Sequence, residues 1–463
     1  MQVMKFGSVS VSDAARLRDV AMIVKSEARG PVVVVCTALG DMTDTLIGAA
    51  RAAVSGSEAP IDAARRELWG RHRALAERLV VDDWEREALY REWAELLKVF
   101  DRVTRALATL GEPSPRGIDA VAALGERFIA HLFAVVLREA GVAARVVDAG
   151  ELIITDEHFG AARPQVAESI ERVRTRLRPL LQSGITPVIT GYIGATRQRV
   201  VTTLGRGGGD YTAALIGAAM EASEVCLWTD VDGILTADPK LVADARTLTE
   251  LSYHEAGLIT MFGAEVLHPR TLLPLRDSSI TLRIRSVFHL ARAGTRVVAQ
   301  SGPTSRPART IISTPALTLL RVTAVRDQDW SPELPALALG RLVEIGVDIL
   351  TSAPSFTERS LLLAVRTSDA AFVTASLGQP HGQRLGQDAL RAVPEAQVGL
   401  LTLISAGGGD ELLPRTLTSL GRIGAHVLAM ACDPQAAHIS LVLPEDELQR
   451  AVRALHADMG LAG

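Results

Sequence analysis

Residues 202–240 constrain this chain more than any other stretch: TTLGRGGGDYTAAL, a hydrophobic helical run, then LWTDVDGILTADPK. Four glycines crowd Gly205–Gly209 between an apolar strand and a helix, and a second short strand ends in Thr229-Asp230 and an Asp232-Gly233 turn. Glycines let backbone N–H groups approach an anion where any side chain would collide, and a helix start adds unsatisfied donors. Two such loops within one stretch predict a site for a phosphorylated or carboxylated small molecule. The loop is not GxxxxGK[ST], and Asp210 stands where a dinucleotide fingerprint needs its third glycine. Arg206 suits a carboxylate held by two parallel bonds, and Asp210 suits an ammonium or a simple helix cap.

The first 300 residues alternate strand and helix. VMKF (3–6), VVVVC (32–36), ARVVDA (144–149), TPVITGY (186–192), VCLWTD (225–230) and ITLRIRSV (280–287) read as strands. Apolar spacing near three and four predicts helices over 61–110. This order predicts a mostly parallel sheet sandwiched by helices, with the site at the strand ends. QSGPTSRPARTIISTP (300–315) is polar and proline-rich and reads as a boundary, so the predicted segments are 1–300, a linker 301–315, and modules 316–392 and 393–463. Each module reads strand–helix–strand–strand–helix, the order of a small ferredoxin-like unit.

At 463 residues with net charge −4, the chain is long enough for two or three domains and gives no electrostatic reason to bind nucleic acid. Cys36, Cys226 and Cys432 lack ligand or disulfide spacing. No uninterrupted apolar run of spanning length is evident, Met1–Lys5 leads straight into a strand, and the expected location is cytoplasmic. Lys5, at the end of a strand with Gly7 opening the turn, could face phosphates or be a solvated surface lysine. Glu126 in LGERF faces either substrate or solvent, and His268 before Pro269 reads as a structural hydrogen-bonder.

Together these motifs resemble the aspartate kinases of the amino-acid kinase superfamily. KFGSVSV resembles KFGGTSV, TALGDMTD resembles SAMSGVTN, and LGERF, TDEHFGAA and GYIGAT match with little change. TTLGRGGGDYTAAL differs from TTLGRGGSDYTAAL at one position, and WTDVDGILTADPK and FGAEVLHPRT follow. The resemblance implies transfer of the γ-phosphoryl of Mg-ATP to the β-carboxylate of L-aspartate, the first step of lysine, threonine and methionine biosynthesis. It implies ATP contacts from Lys5, Gly7, Ser8, Thr229, Asp230, Leu235, Lys240 and position 265, here Glu265. It implies substrate contacts from Thr37, Thr43, Glu126, Arg206, Gly209 and Asp210, with Lys5 and Asp210 carrying catalysis. The tandem modules are similar to ACT domains, which implies a lysine or threonine effector near Asp327, Ser331, Ser405, Gly407 and His438, and a homodimer or higher homo-oligomer.

Seven positions depart from that pattern. Ser8 replaces glycine, Val9 threonine, Thr37 serine, Asp44 asparagine, Gly209 serine, Leu235 tyrosine and Glu265 lysine. The alternatives they leave open are a catalytically weakened paralogue that senses an amino acid or serves as a regulatory subunit, and a kinase for another carboxylate.

Overall fold

A computed structural model describes residues 1–263, 266–302, 306–326, 330–378, 390–405, 409–432 and 438–462. The chain divides into two compact units. The first comprises 1–234, 249–253 and 266–301; the second comprises 235–248, 254–265 and 302–463. The predicted 1–300 segment is therefore not continuous in space. Two excursions inside it belong to the second unit, and no change of composition at Ile234-Leu235 signals the crossing.

The first unit is built on one eight-stranded sheet. Its strands are β1 (Gln2–Phe6), β2 (Val32–Cys36), β3 (Ala144–Val147), β4 (Thr186–Thr190), β7 (Glu224–Thr229), β8 (Glu250–Ser252), β9 (Thr281–Ser286) and β10 (Thr295–Val298). The order is β3-β4-β2-β1-β7-β9-β10-β8, and only the β9–β10 pairing is antiparallel. A separate hairpin pairs β5 (Ile193–Ala195) with β6 (Val201–Thr203). β2 is buried at every residue. Such a run of β-branched side chains suits a parallel strand covered on both faces.

Helices cover the sheet. The helix Asp83–Leu110 starts where Asp82 accepts from the N–H groups of Trp84 and Glu85, at 2.8 and 3.3 Å. It stops at Gly111, whose φ of 67° is the left-handed conformation that glycine adopts without strain. Trp93 on this helix is fully buried, stacks on Phe128 at 5.4 Å and donates Nε1–H to the Phe128 carbonyl at 3.0 Å. It is a core anchor. The stretch Pro115–Glu139 has the length and mean apolarity of a membrane span by composition, though charged residues interrupt it, and most of it is buried inside the fold. It forms two helices, Pro115–Ala122 and Leu124–Glu139, the second packed into the main core.

The second unit carries a six-stranded antiparallel sheet in the order β12-β13-β11-β14-β16-β15. β11 (Ala308–Ala324), the helix Leu334–Glu344, β12 (Thr351–Ser355), β13 (Ser360–Arg366) and the helix Thr367–Leu377 form one ferredoxin-like module. β14 (Leu390–Ser405), the helix Gly409–Arg422, β15 (Ala429–Cys432), β16 (His438–Pro444) and the helix Glu445–Asp458 form the other. The expected fold class is therefore present. The expected linker is not: Ala308–Thr314 are strand, and β11 continues through Pro315 by a register shift with Ala316 at φ 58°. A bulge is where a strand tolerates proline.

The excursion 235–248 lies against the second module. Ala237 and Val242 join its core, Thr236 Oγ1 meets His456 Nε2 at 2.9 Å, and Arg453 Nε donates to the Leu241 carbonyl at 2.8 Å.

Candidate active site

Parallel strands point their carboxyl ends the same way, so the loops after β1, β2, β4 and β7 converge. Lys5 sits near the end of β1, and Asp210 lies in the first turn of the helix Gly208–Ala219. They meet across more than two hundred residues of chain, with Lys5 Nζ 2.7 Å from Asp210 Oδ1. Their side chains are 13% and 18% exposed. Asp210 Oδ1 lacks hydrogen-bond geometry to any donor among the described residues, so the contact is electrostatic rather than directional.

The glycine loop opens into its helix at Gly208. Gly207, not Asp210, holds the capping position, at φ 73°. No side chain caps this helix, which leaves first-turn N–H groups for an anion. Arg206 is exposed between Gly205 and Gly207 and makes no hydrogen bond or ion pair among the described residues. His268 braces the loop from below: a Cβ on Gly207 would lie 2.5 Å from His268 Cβ. The His268 ring accepts from Arg270 N–H at 3.2 Å, the structural role expected, and burial holds its pKa below the ordinary value.

Glu126 is 2% exposed. Its Oε1 accepts weakly from Ala38 N–H at 3.4 Å, and its Oε2 has no partner among the described residues. Burial pushes its pKa up to about 8, against partial relief from hydrogen bonds, its own N–H first and then that of Ala38. An unpaired carboxyl oxygen buried this deeply is costly unless a ligand satisfies it. The alternative of a solvent-facing Glu126 is thereby removed.

Thr37 follows β2 and donates to the Phe6 carbonyl at 3.4 Å. Gly209 lies against the Thr37 side chain and Lys5 Cε. Thr43 is half-buried in the first turn of the helix Met42–Val54. Gly7 N–H donates to the Trp228 carbonyl at 3.4 Å and Ser8 begins a short 3₁₀ turn, tying the end of β1 to that of β7. Thr229 Oγ1 donates to Asp230 Oδ1 at 2.9 Å. Lys5, Gly7, Thr37, Gly209 and Asp210 are thus gathered together, with Glu126 held on the residue after Thr37.

Leu235 and Lys240 belong to the second unit, where the Leu235 carbonyl accepts from Thr310 Oγ1 at 2.8 Å and Lys240 N–H donates to Asp238 Oδ1 at 2.9 Å. Glu265, Asp327 and Gly407 lie outside the described residues. Ser331 precedes the helix Leu334–Glu344 and accepts from Leu334 N–H through its carbonyl at 3.1 Å. Ser405 ends β14, and His438 opens β16 opposite Ile404 with its ring 4.7 Å from that of Phe262.

Two residues with a part in the site gave no sequence signal of it. Asp119 is buried and accepts from Thr203 N–H, Thr203 Oγ1 and Gly160 N–H at 2.8, 2.9 and 2.9 Å, pinning the strand that enters the glycine loop. Tyr192, in GYIGAT, sits at φ 69°, and a Cβ on Gly208 would lie 2.8 Å from its ring. The run GYIGAT marked a motif but named no role for the tyrosine.

Residues 1–286 match the amino acid kinase family. Lysine-sensitive aspartokinase 3 of Escherichia coli is 30% identical over 468 residues, covering 99% of this chain and 98% of that protein. A plant protein, bifunctional aspartokinase/homoserine dehydrogenase 1 of Zea mays, is 27% identical over 467 residues; the chain spans 50% of its length. Among solved structures, E. coli aspartokinase III in complex with aspartate and ADP (R-state) superposes with a TM-score of 0.80 at 27% identity, covering 99% of both chains. The same enzyme in complex with lysine and aspartate (T-state) gives 0.79 at 27% identity and the same coverage. With the family match over more than half of its length and an aspartokinase relative covered nearly end to end, this chain belongs to the amino acid kinase family, among its aspartokinases.

Proposed function

We propose that this chain transfers the γ-phosphoryl group of ATP to the β-carboxylate of L-aspartate, giving 4-phospho-L-aspartate for lysine, threonine and methionine biosynthesis. The observation that carries the reading is the Lys5–Asp210 pair, 2.7 Å apart at the open start of the helix Gly208–Ala219. A cation and free N–H groups placed together meet the main demand of phosphoryl transfer, which is to bring two anions close and offset their charge.

The nucleotide fits what the residues offer. A Cβ on Gly7 would lie 3.3 Å from Lys5 Nζ, so the missing side chain keeps the space beside the ammonium clear for phosphate oxygens. Among the described residues no three His, Cys, Asp or Glu converge as a metal cage. Magnesium carried by the nucleotide would supply charge neutralisation at its phosphates, with the Asp230 carboxylate as a candidate to hold it.

The acceptor is already ionised at neutral pH, so no general base is required. A β-carboxylate oxygen of aspartate attacks the γ-phosphorus as the bond to the leaving ADP oxygen breaks. Lys5 Nζ and the helix N–H groups take up the negative charge spread over the transferring group. Arg206, exposed and unpaired among the described residues, holds the α-carboxylate. Glu126 Oε2 receives the α-ammonium and gives up its proton as it does so.

The wider reading includes a lysine or threonine effector at the paired modules, a homodimer built through them, and a cytoplasmic location. The lysine complex of the E. coli neighbour supports the effector. The direct test is purified protein with Mg-ATP, hydroxylamine and a panel of acidic amino acids. L-Aspartate should give its hydroxamate at a rate far above a Lys5→Ala control. Equal rates in the two proteins, or product from a different acid alone, would remove the assignment.

A further inference from the structure

Among the departures from the aspartokinase pattern, two touch each other. Thr37 follows β2 and Gly209 lies in the first turn of the helix carrying Asp210. A Cβ built on Gly209 would lie 2.3 Å from Thr37 Cγ2, a separation no real pair of carbons adopts, and 3.3 Å from Lys5 Cε. Every other neighbour within reach is farther: Thr37 Cβ stands at 3.8 Å. The threonine methyl alone therefore excludes a side chain at 209.

Gly191, after β4, borders both residues: a Cβ there would lie 3.2 Å from Thr37 Cγ2, 3.1 Å from Gly209 Cα and 2.8 Å from the Cys36 carbonyl oxygen. Gly191 N–H donates to that same carbonyl at 2.7 Å, fixing the two strand ends together. The Thr37 hydroxyl is directed to the Phe6 carbonyl, and β-branching stiffens χ1. A methyl is gained at 37 where a whole side chain is lost at 209, beneath the Lys5 stem.

We propose that Thr37 and Gly209 are a matched positioning pair for Lys5, in which filled volume, not a hydroxyl at 209, sets the ammonium's place. This rests on the aspartate kinase reading for its catalytic consequence, though not for its steric one. A Cβ at 209 must displace the Thr37 methyl and, at 3.3 Å, also crowds the Lys5 stem, which carries the group that faces the transferring phosphoryl.

The test is the step Gly209→Ala made in two backgrounds, wild type and Thr37→Ser, which removes the methyl and keeps the hydroxyl. Alanine adds volume without a hydroxyl, so chemistry and size are separated. With Thr37 present the step should lower kcat about tenfold and lower the melting temperature, while KM for Mg-ATP moves much less. In the Thr37→Ser background the same step should cost about twofold or less in kcat. Equal costs in both backgrounds overturn the pair. A loss confined to melting temperature, with kcat unchanged, overturns the positioning role. If the wild type turns over no aspartate, the functional reading fails, while the melting temperatures of the four proteins still decide whether the two positions are matched.

Discussion

Replacing Lys5 with methionine should lower kcat for aspartyl phosphate formation by about 10²–10³-fold, the scale of removing one preorganised group that stabilises transition-state charge. Methionine keeps an apolar stem beside Gly209, so the packing there survives and the change falls on the ammonium. The substitution also strands Asp210, whose side chain is only 18% exposed, beside a neutral partner. A second variant, Lys5→Met with Asp210→Asn, separates the two effects. Denaturant unfolding of the double variant should recover toward wild type while hydroxamate formation stays lost. Recovery of turnover along with stability would mean that Lys5 matters only as Asp210's counter-ion.

The next largest effect belongs to Glu126 and can be read without turnover. Its ordinary value is 4.5, and burial raises it in the fold to about 8. The unfolded chain thus loses this proton near pH 4.5 while the native state keeps it until about pH 8. Between those values the native state binds more protons, so stability falls as pH rises, and it levels off above about pH 8. The cumulative loss is on the order of a few kcal/mol. Glu126→Gln cannot ionise, so its stability should lack that slope and exceed wild type at the alkaline end. Urea unfolding from pH 4.5 to 9 measures it (a range of about one unit beyond the raised titration). An unchanged slope in Glu126→Gln would show that the group does not titrate this way. If Glu126 takes the α-ammonium as proposed, L-aspartate binding should release close to one proton at pH 6.5–7 (roughly one unit below the raised pKa), visible as buffer-dependent heats in calorimetry and absent in Glu126→Gln.

The strands were legible because β-branched runs such as VVVVC have few other uses, and the module order was legible because it repeats. The site was legible as pieces: Lys5, Glu126, Arg206 and Asp210 each sit in a motif. The meeting of Lys5 with Asp210 was not, because nothing in spacing says that position 5 touches position 210. Gly209 shows the limit most plainly. In sequence it is a serine lost from a motif; in the fold its missing Cβ is the space the Thr37 methyl fills. Segment 301–315 misled because Ser, Thr, Arg and Pro suggest a loop, whereas from Ala308 its backbone pairs with β14 and Pro315 falls at a bulge. The excursions 235–248 and 254–265 were invisible for a related reason. Their apolar residues look like any core residues, and which core they join is decided by tertiary packing.

The central claim is that Lys5 and Arg206 bring two negatively charged reactants to one place. Calorimetric titration tests it most directly: Mg-ATP, then L-aspartate, on wild type, Lys5→Met and Arg206→Ala. Wild type should bind both ligands; Arg206→Ala should lose at least about tenfold in aspartate affinity and keep the nucleotide, and Lys5→Met should do the reverse. Binding of neither ligand to the wild-type chain, or identical affinities in all three proteins, would contradict the account.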